Sequence, residues 1–224
     1  MKTLNVLFVS LVLLLGASPV IRAQDNAAVP AKEIQLPKPQ TEIGKPLMKA
    51  LKLRQTIREY SEKNLNPQEL SNLLWAADGV NRPDGKRTAP TAMNCQEIDV
   101  YVAKADGLYL YNAAKNSLET ISSEDIRALT GKQPFVKGAP VNIILVADMS
   151  KMSRSSEESR NFYTAIDAGY VSQNIYLYCA SQGLATVVRG NVDRDELLKA
   201  MKLNDKQKIL VAQTVGYPLK KGSN

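Results

Sequence analysis

In the stretch LRQTIREY, residues 53–60, two arginines and a threonine fall at every second position: Arg54, Thr56 and Arg58. Alternate side chains of an extended chain share a face. These three would then project together, with Gln55, Ile57 and Glu59 on the other side. Two guanidinium forks flanking a hydroxyl suit a phosphate dianion. The same spacing also suits a solvated edge, or ion pairs to Glu59 and Glu62. An extended conformation is expected here, because the stretch joins a helical pattern at Leu47, Ala50 and Leu51 to a helix that cannot start before Asn66.

Two further stretches carry candidate chemistry. RTAPTAMNCQEIDVYV places Thr88, Thr91, Asn94 and Gln96 just ahead of a strand. Amides there can pair with the edge of a planar heterocycle, and Ala89 and Ala92 leave room for a flat ligand. An ordinary polar connector has the same composition. In GLATVVRGNVD, Gly183 and Gly190 bracket a run whose backbone N–H groups could face a ligand.

Other chemistry is excluded. The 224 residues contain no histidine, so the commonest general base and metal ligand is missing. Two cysteines, Cys95 and Cys179, cannot build a zinc site alone. They could pair in an oxidising compartment or remain thiols. Lys and Arg number 29 against 22 Asp and Glu, for a net charge of +7. The basic residues are scattered rather than gathered into a stripe, so no nucleic-acid partner is expected.

The elements that must position these residues can be read along the chain. Lys2, an apolar run from Val6 to Leu15 and small residues ending at Ala23 resemble a secretory signal. The run is too short to span a bilayer. Residues 1–23 are therefore expected to be cleaved, leaving an exported, periplasmic protein with no stable membrane anchor. The alternative is an uncleaved anchor. Residues 24–43, rich in Pro and polar residues, read as an extended arm or linker, and 44–224 as one domain.

Asn66, Pro67, Glu69 and Gly79 mark a capped helix with Leu70, Leu73, Leu74 and Ala77 on its buried stripe. A hairpin turns at Asp106–Gly107. SSEDIRALTG reads as a short helix, and GAPVNIILVAD as a strand covered on both faces. Residues 157–181 form a long helix, apolar on most sides. A strand or loop follows, then a helix from near Asp193 and a last strand ending in GYP. The fold class is α+β.

Taken in order, these stretches resemble the nitroreductase-like flavoprotein superfamily, closest to its thiazole/oxazole dehydrogenase-type branch. Arg54-Gln55-Thr56-Ile57-Arg58 is similar to the family's Arg-Arg-Ser-h-Arg, with Gln55 and Thr56 departing from it. Pro90-Thr91-Ala92-Met93-Asn94 resembles Pro-Ser-x-x-Asn, and Gly183-Leu184-Ala185-Thr186 resembles Gly-Leu-Gly-Thr. Gly216-Tyr217-Pro218 is like the family's ending. The resemblance implies a central, mostly antiparallel sheet flanked by helices, and a homodimer with the long helix at its interface.

It also implies an FMN cofactor. Arg54, Thr56 and Arg58 would hold the phosphate, with Gln55 near the ribityl chain. Pro90, Thr91, Ala92, Asn94 and Gln96 would serve the partner subunit's pocket. Val188, Arg189 and Gly190 would run along the ring, and Lys220 or Lys221 would add a cation near the C-terminus. The implied activity is hydride transfer through flavin N5 to a nitro, quinone or other conjugated small molecule. No catalytic side chain and no metal are expected. An exported, flavin-free binding module on the same scaffold is the alternative.

Overall fold

The computed structural model describes residues 32–152 and 156–219 of the chain. The signal segment 1–23, Lys220 and Lys221 lie outside the described residues.

Two capped helices set the frame. Helix α2, Pro67–Asp78, begins at Asn66, whose side chain accepts from the Glu69 N–H while Glu69 reaches back to the Asn66 N–H. Pro67 needs no N–H partner in the first turn. Helix α4, Glu157–Gln182, starts at the Ser156 hydroxyl and stops at Gly183, which takes the left-handed conformation at φ +75°. Short helices α1, Leu47–Leu53, α3, Phe135–Gly138, and α5, Arg194–Ala200, complete the set.

Seven strands form one antiparallel sheet: β1 Glu33–Gln35, β2 Ile98–Lys104, β3 Gly107–Asn112, β4 Ser117–Ser122, β5 Val141–Asp148, β6 Ala185–Arg189 and β7 Gln207–Gly216. Their spatial order is β1-β4-β3-β2-β5-β7-β6. Strand β5 is buried on both faces, as its unbroken apolar run demands. Val141, Ile143, Leu145 and Ala147 face a core shared with α2 and α4, while Ile144 and Val146 face a second core with Leu197 and Met201 at α5. The sheet therefore separates two helical layers. This is the α+β architecture, with a mostly antiparallel sheet between helices, that the sequence leads one to expect.

Three details differ from expectation or add to it. SSEDIRALTG forms only a 3-10 turn, Arg127–Thr130. Asp125 takes up the Arg127 N–H and guanidinium, and Arg127 donates to the Ala139 carbonyl, so the segment folds back on itself instead of extending a helix. Within the arm, residues 33–35 form β1 on the edge of β4, and Leu36 is buried. The Pro37 carbonyl accepts from Ser71 and Asn116, which fastens the arm to α2. Cys95 and Cys179 are both free thiols, Cys179 fully buried among apolar residues.

Candidate functional site

Residues 54–60 are extended and lie along the outer edge of β6. The Ile57 N–H donates to the Thr186 carbonyl at 3.1 Å, Ser61 N–H to Tyr217 at 2.9 Å, and Leu219 N–H to Glu59 at 3.1 Å. Alternation then sorts the side chains. Gln55 and Ile57 face one hollow with Leu53, Gly183 and Thr186. Arg54 and Thr56 both meet Tyr176 of α4: the Arg54 guanidinium sits 5.4 Å from the ring centre, and the Thr56 and Tyr176 hydroxyls are 3.1 Å apart. Arg58 is exposed. Neither arginine makes an ion pair among the described residues, and Glu59 and Glu62 pair with neither.

Tyr176 is the hub of this group. Its hydroxyl also accepts the Val188 N–H at 3.1 Å, a donor that β6 leaves free at its edge. One turn before it on α4, the Ser172 hydroxyl donates to Gln213 of β7, whose amide donates to Thr186. The floor is thus a satisfied polar network. Beyond it opens a hollow of about 500 Å³, lined mainly by Ala165, Ala168, Gly169, Val188, Leu210 and Val211. A Cβ at Gly169 would touch nothing within 4 Å. One end is therefore cationic and rich in donors, and the other is open and mainly apolar, with Arg194 and Lys208 also in its lining.

Strand alternation also decides Arg189. Val188 faces α4, so Arg189 points to the other side of the sheet. There it is buried and donates to the Thr130 carbonyl at 2.8 Å, Asn142 Oδ1 at 2.9 Å and Thr214 Oγ1 at 2.7 Å. Its side chain does not share the surface of Arg54 and Thr56; only its backbone runs there. Gly190 is exposed with open space around it.

The loop at residues 90–96 is a separate group. The Ala92 N–H donates to Asp167 Oδ2 at 2.9 Å and the Gln96 N–H to Thr91 Oγ1 at 3.0 Å. Met93, Asn94 and Gln96 all have φ near +50°, a costly conformation for residues with a Cβ. Pro90 and Asn94 are exposed, and Thr91, Ala92 and Gln96 half-buried. On α4, Asp167 precedes Tyr176 by nine residues, roughly 14 Å along the axis and half a turn around it. Within one chain, then, Thr91, Asn94 and Gln96 are not brought to Arg54 and Thr56.

Sequence reasoning missed three groups here. Tyr176 gave no signal beyond lying in an apolar helix four residues after Ser172. Asp167 and Glu97 carry no local signal that separates them from surface acids. Yet Glu97 is fully buried, its side-chain oxygens have no N–H donor from any other residue and only the weak pull of its own backbone N–H, and it faces Asp167. Burial first, then Asp167, pushes the Glu97 carboxyl up to about 7. Among the described residues no His, Cys, Asp and Glu cluster is placed to hold a metal ion.

Known proteins resemble this chain in sequence and in fold. Residues 51–217 match the Nitroreductase family. A Methanocaldococcus jannaschii protein named as a nitroreductase is 32% identical over 162 residues, which is 68% of this chain and 82% of that protein. The NAD(P)H-dependent FMN reductase of Bacillus subtilis is 23% identical over 77% of this chain and 66% of its own length. A crystal structure of a Ralstonia eutropha protein, described as a nitroreductase, is 41% identical. It superposes with a TM-score of 0.81, covering 86% of this chain and 94% of the other.

Proposed function

Because this chain belongs to the nitroreductase family, we propose that it is an FMN-dependent oxidoreductase that works as a homodimer on a nitro, quinone or other conjugated acceptor. The observation that carries the reading is the group at Tyr176. Arg54 and Thr56 converge there, no carboxylate among the described residues pairs with Arg54 or Arg58, and a mainly apolar hollow begins beside them. These residues fit the cofactor. Arg54, Thr56 and Arg58 would hold its phosphate and Val188 and Gly190 would border the ring, while Gln55, expected near the ribityl chain, instead faces the hollow on the other side of the segment.

When bound, the flavin takes up and hands on a hydride. The chain's own part is to bind, orient and exclude water. Tyr176 fixes Thr56 by a hydroxyl–hydroxyl bond, which would hold the Thr56 side chain at the phosphate position. The Arg189 side chain contributes from behind, by tying β6 to Thr130, Asn142 and Thr214. No side chain needs to act as a general acid or base.

A second copy would complete the pocket. Pro90, Thr91, Ala92, Asn94 and Gln96 cannot reach the Arg54 group of their own chain, so they would border the pocket of a partner. Phe162, Tyr163 and Tyr170 are exposed on α4, an apolar face suited to that contact. Residues 1–23 would direct export and be removed, placing the dimer in the periplasm. The mass of the mature chain tests that cleavage.

The visible spectrum of the purified full-length product tests the cofactor. Yellow protein releasing FMN on denaturation is the expected result. Arg54→Ala should weaken FMN far more than riboflavin, by about 1.5–3 kcal/mol for a lost charge-assisted partner. A colourless dimer that takes up no FMN would instead favour a flavin-free binding module.

A further inference from the structure

Residues 79–88 fold into a tight hairpin that brings three cations to one wall. Val80 and Arg87 pair as an antiparallel bridge. Asn81 N–H donates to the Lys86 carbonyl, Gly85 N–H to Arg82 and Thr88 N–H to Gly79. Gly85 makes the turn at φ +77°, where a Cβ would be strained. Gln96 then fastens the hairpin to the 90–96 loop by donating its side-chain amide to the Gly85 carbonyl at 3.1 Å. Between hairpin and loop lies a hollow of about 260 Å³ lined by Arg82, Lys86, Arg87, Pro90, Thr91 and Asn94.

The polar atoms of that wall are mostly donors. Arg87 is paired with the buried Asp78, and Lys86 with Asp84. Arg82 has no acid. Its Nε donates to Asn81 Oδ1 at 2.9 Å and one terminal nitrogen to the Arg87 carbonyl at 3.2 Å, which fixes the guanidinium plane and leaves its other terminal nitrogen free. Asn94 uses its oxygen, at 3.4 Å from the Gln96 amide, and keeps both N–H groups. Thr91 Oγ1 accepts from Gln96 and keeps its hydrogen to give. Three donors on an anchored frame, one of them a permanent charge, suit an oxyanion. The strained backbone at Met93 and Asn94 is the kind kept where a loop must hold a set shape.

We propose that this hollow is an oxyanion subsite, which takes the carboxylate or phosphate group of a flat conjugated substrate or of the electron donor. The placement rests on the reading above, in which the 90–96 loop borders the partner's ring. A substrate lying on that ring would extend its charged edge toward Arg82.

The test uses the full dimer and four probes: p-nitrobenzoate against its neutral isostere p-nitrobenzamide, and NADPH against NADH. Wild type should favour the more anionic member of one pair in kcat/KM by about tenfold or more, the effect of one charge-assisted hydrogen bond. Arg82→Ala should collapse that ratio toward one, and Lys86→Ala should lower it less. The pair whose ratio collapses tells acceptor carboxylate from donor phosphate. Equal ratios in wild type and Arg82→Ala for both pairs would overturn the subsite while leaving the oxidoreductase reading intact. Calorimetric titration of p-nitrobenzoate and NADPH separates the opposite failure, since it needs no turnover. Binding weakened about tenfold by Arg82→Ala supports the subsite even in a protein that reduces nothing. No binding of either anion overturns it.

Discussion

Arg189 and Glu97 are buried to similar depth on opposite sides of the sheet, and their surroundings differ in kind. Arg189, on the α5 side, is 5% exposed and meets three neutral oxygens, with the Phe135 ring 5.8 Å from its guanidinium. Burial lowers its pKa only to about 10, so it stays a cation at neutral pH. Glu97, on the α4 side, is 0% exposed and faces another carboxylate. The nearby Ala92 N–H already goes to Asp167. A buried cation can be solvated by carbonyl, amide and hydroxyl oxygens, which any fold has in plenty. A buried anion needs N–H donors, and where those are used elsewhere it takes a proton instead. Contact between Glu97 and Asp167 is a hydrogen bond only when one of them holds that proton.

The largest effect should come from removing the cation. Arg189→Leu would leave the Thr130 carbonyl without its donor and strip the guanidinium from Asn142 Oδ1 and Thr214 Oγ1, which keep only the bond the Thr214 hydroxyl donates to Asn142. A loss of about 3 kcal/mol or more in urea denaturation is expected. A loss under about 1 kcal/mol would mean that the neutral oxygens do not depend on the charge. Next comes Gly131→Ala. A Cβ there would overlap the Arg189 guanidinium and press on Gln133. The backbone of Gly131 is extended and unstrained, so the cost is steric alone, about 1–3 kcal/mol. If the two substitutions act through the same guanidinium, the double mutant should cost less than their sum.

Glu97 predicts a pH effect of definite sign. Its folded pKa, about 7, lies above its ordinary 4.5, so the folded state binds the proton more tightly. The associated stability is fully present below pH 4.5 and is lost as pH rises through 7. Asp78, also raised to about 7 by burial against the pull of Arg87, adds in the same direction. Glu97→Gln cannot lose a proton and can still donate to Asp167. It should flatten the fall between pH 4.5 and 7 and exceed wild type at pH 8, by about 1–2 kcal/mol. A wild-type curve already flat over that window would show that Asp167 is no acid partner and that the contrast with Arg189 is one of packing only.

How far the sequence discloses these two regions is instructive. The capped boundaries of α2 were legible because Asn66, Pro67, Glu69 and Gly79 act locally. The extended 54–60 segment and the 98–112 hairpin were legible for the same reason. Strand β4, in SLETIS, was not: its apolar residues are few, and it exists by pairing with β3 on one side and the arm on the other. The direction of Arg189 depends on the register of β6 against β7, in which Arg189 pairs with Ala212. No local pattern sets that register. Likewise the burial of Glu97 follows from α4 closing over it, and an acid just before a strand looks the same whether covered or not. Arg54 and Thr56 could be singled out by spacing, but Tyr176, more than a hundred residues away, could not.

Tyr176→Phe should have the smallest effect on stability and sharpens the comparison from a third side. Its hydroxyl is a neutral group doing for Val188 N–H and Thr56 what the Arg189 cation does for three oxygens. Its loss strands one backbone donor at a half-buried sheet edge that water can partly reach. About 1 kcal/mol is expected in denaturation. The ring remains, so the Arg54 guanidinium keeps its apolar neighbour. Thr56, however, loses its anchor, and the affinity for FMN should fall several-fold while that for riboflavin changes little. Equal losses for both ligands would place the hydroxyl under the ring rather than at the phosphate, and would move the anionic end of the site away from Arg54.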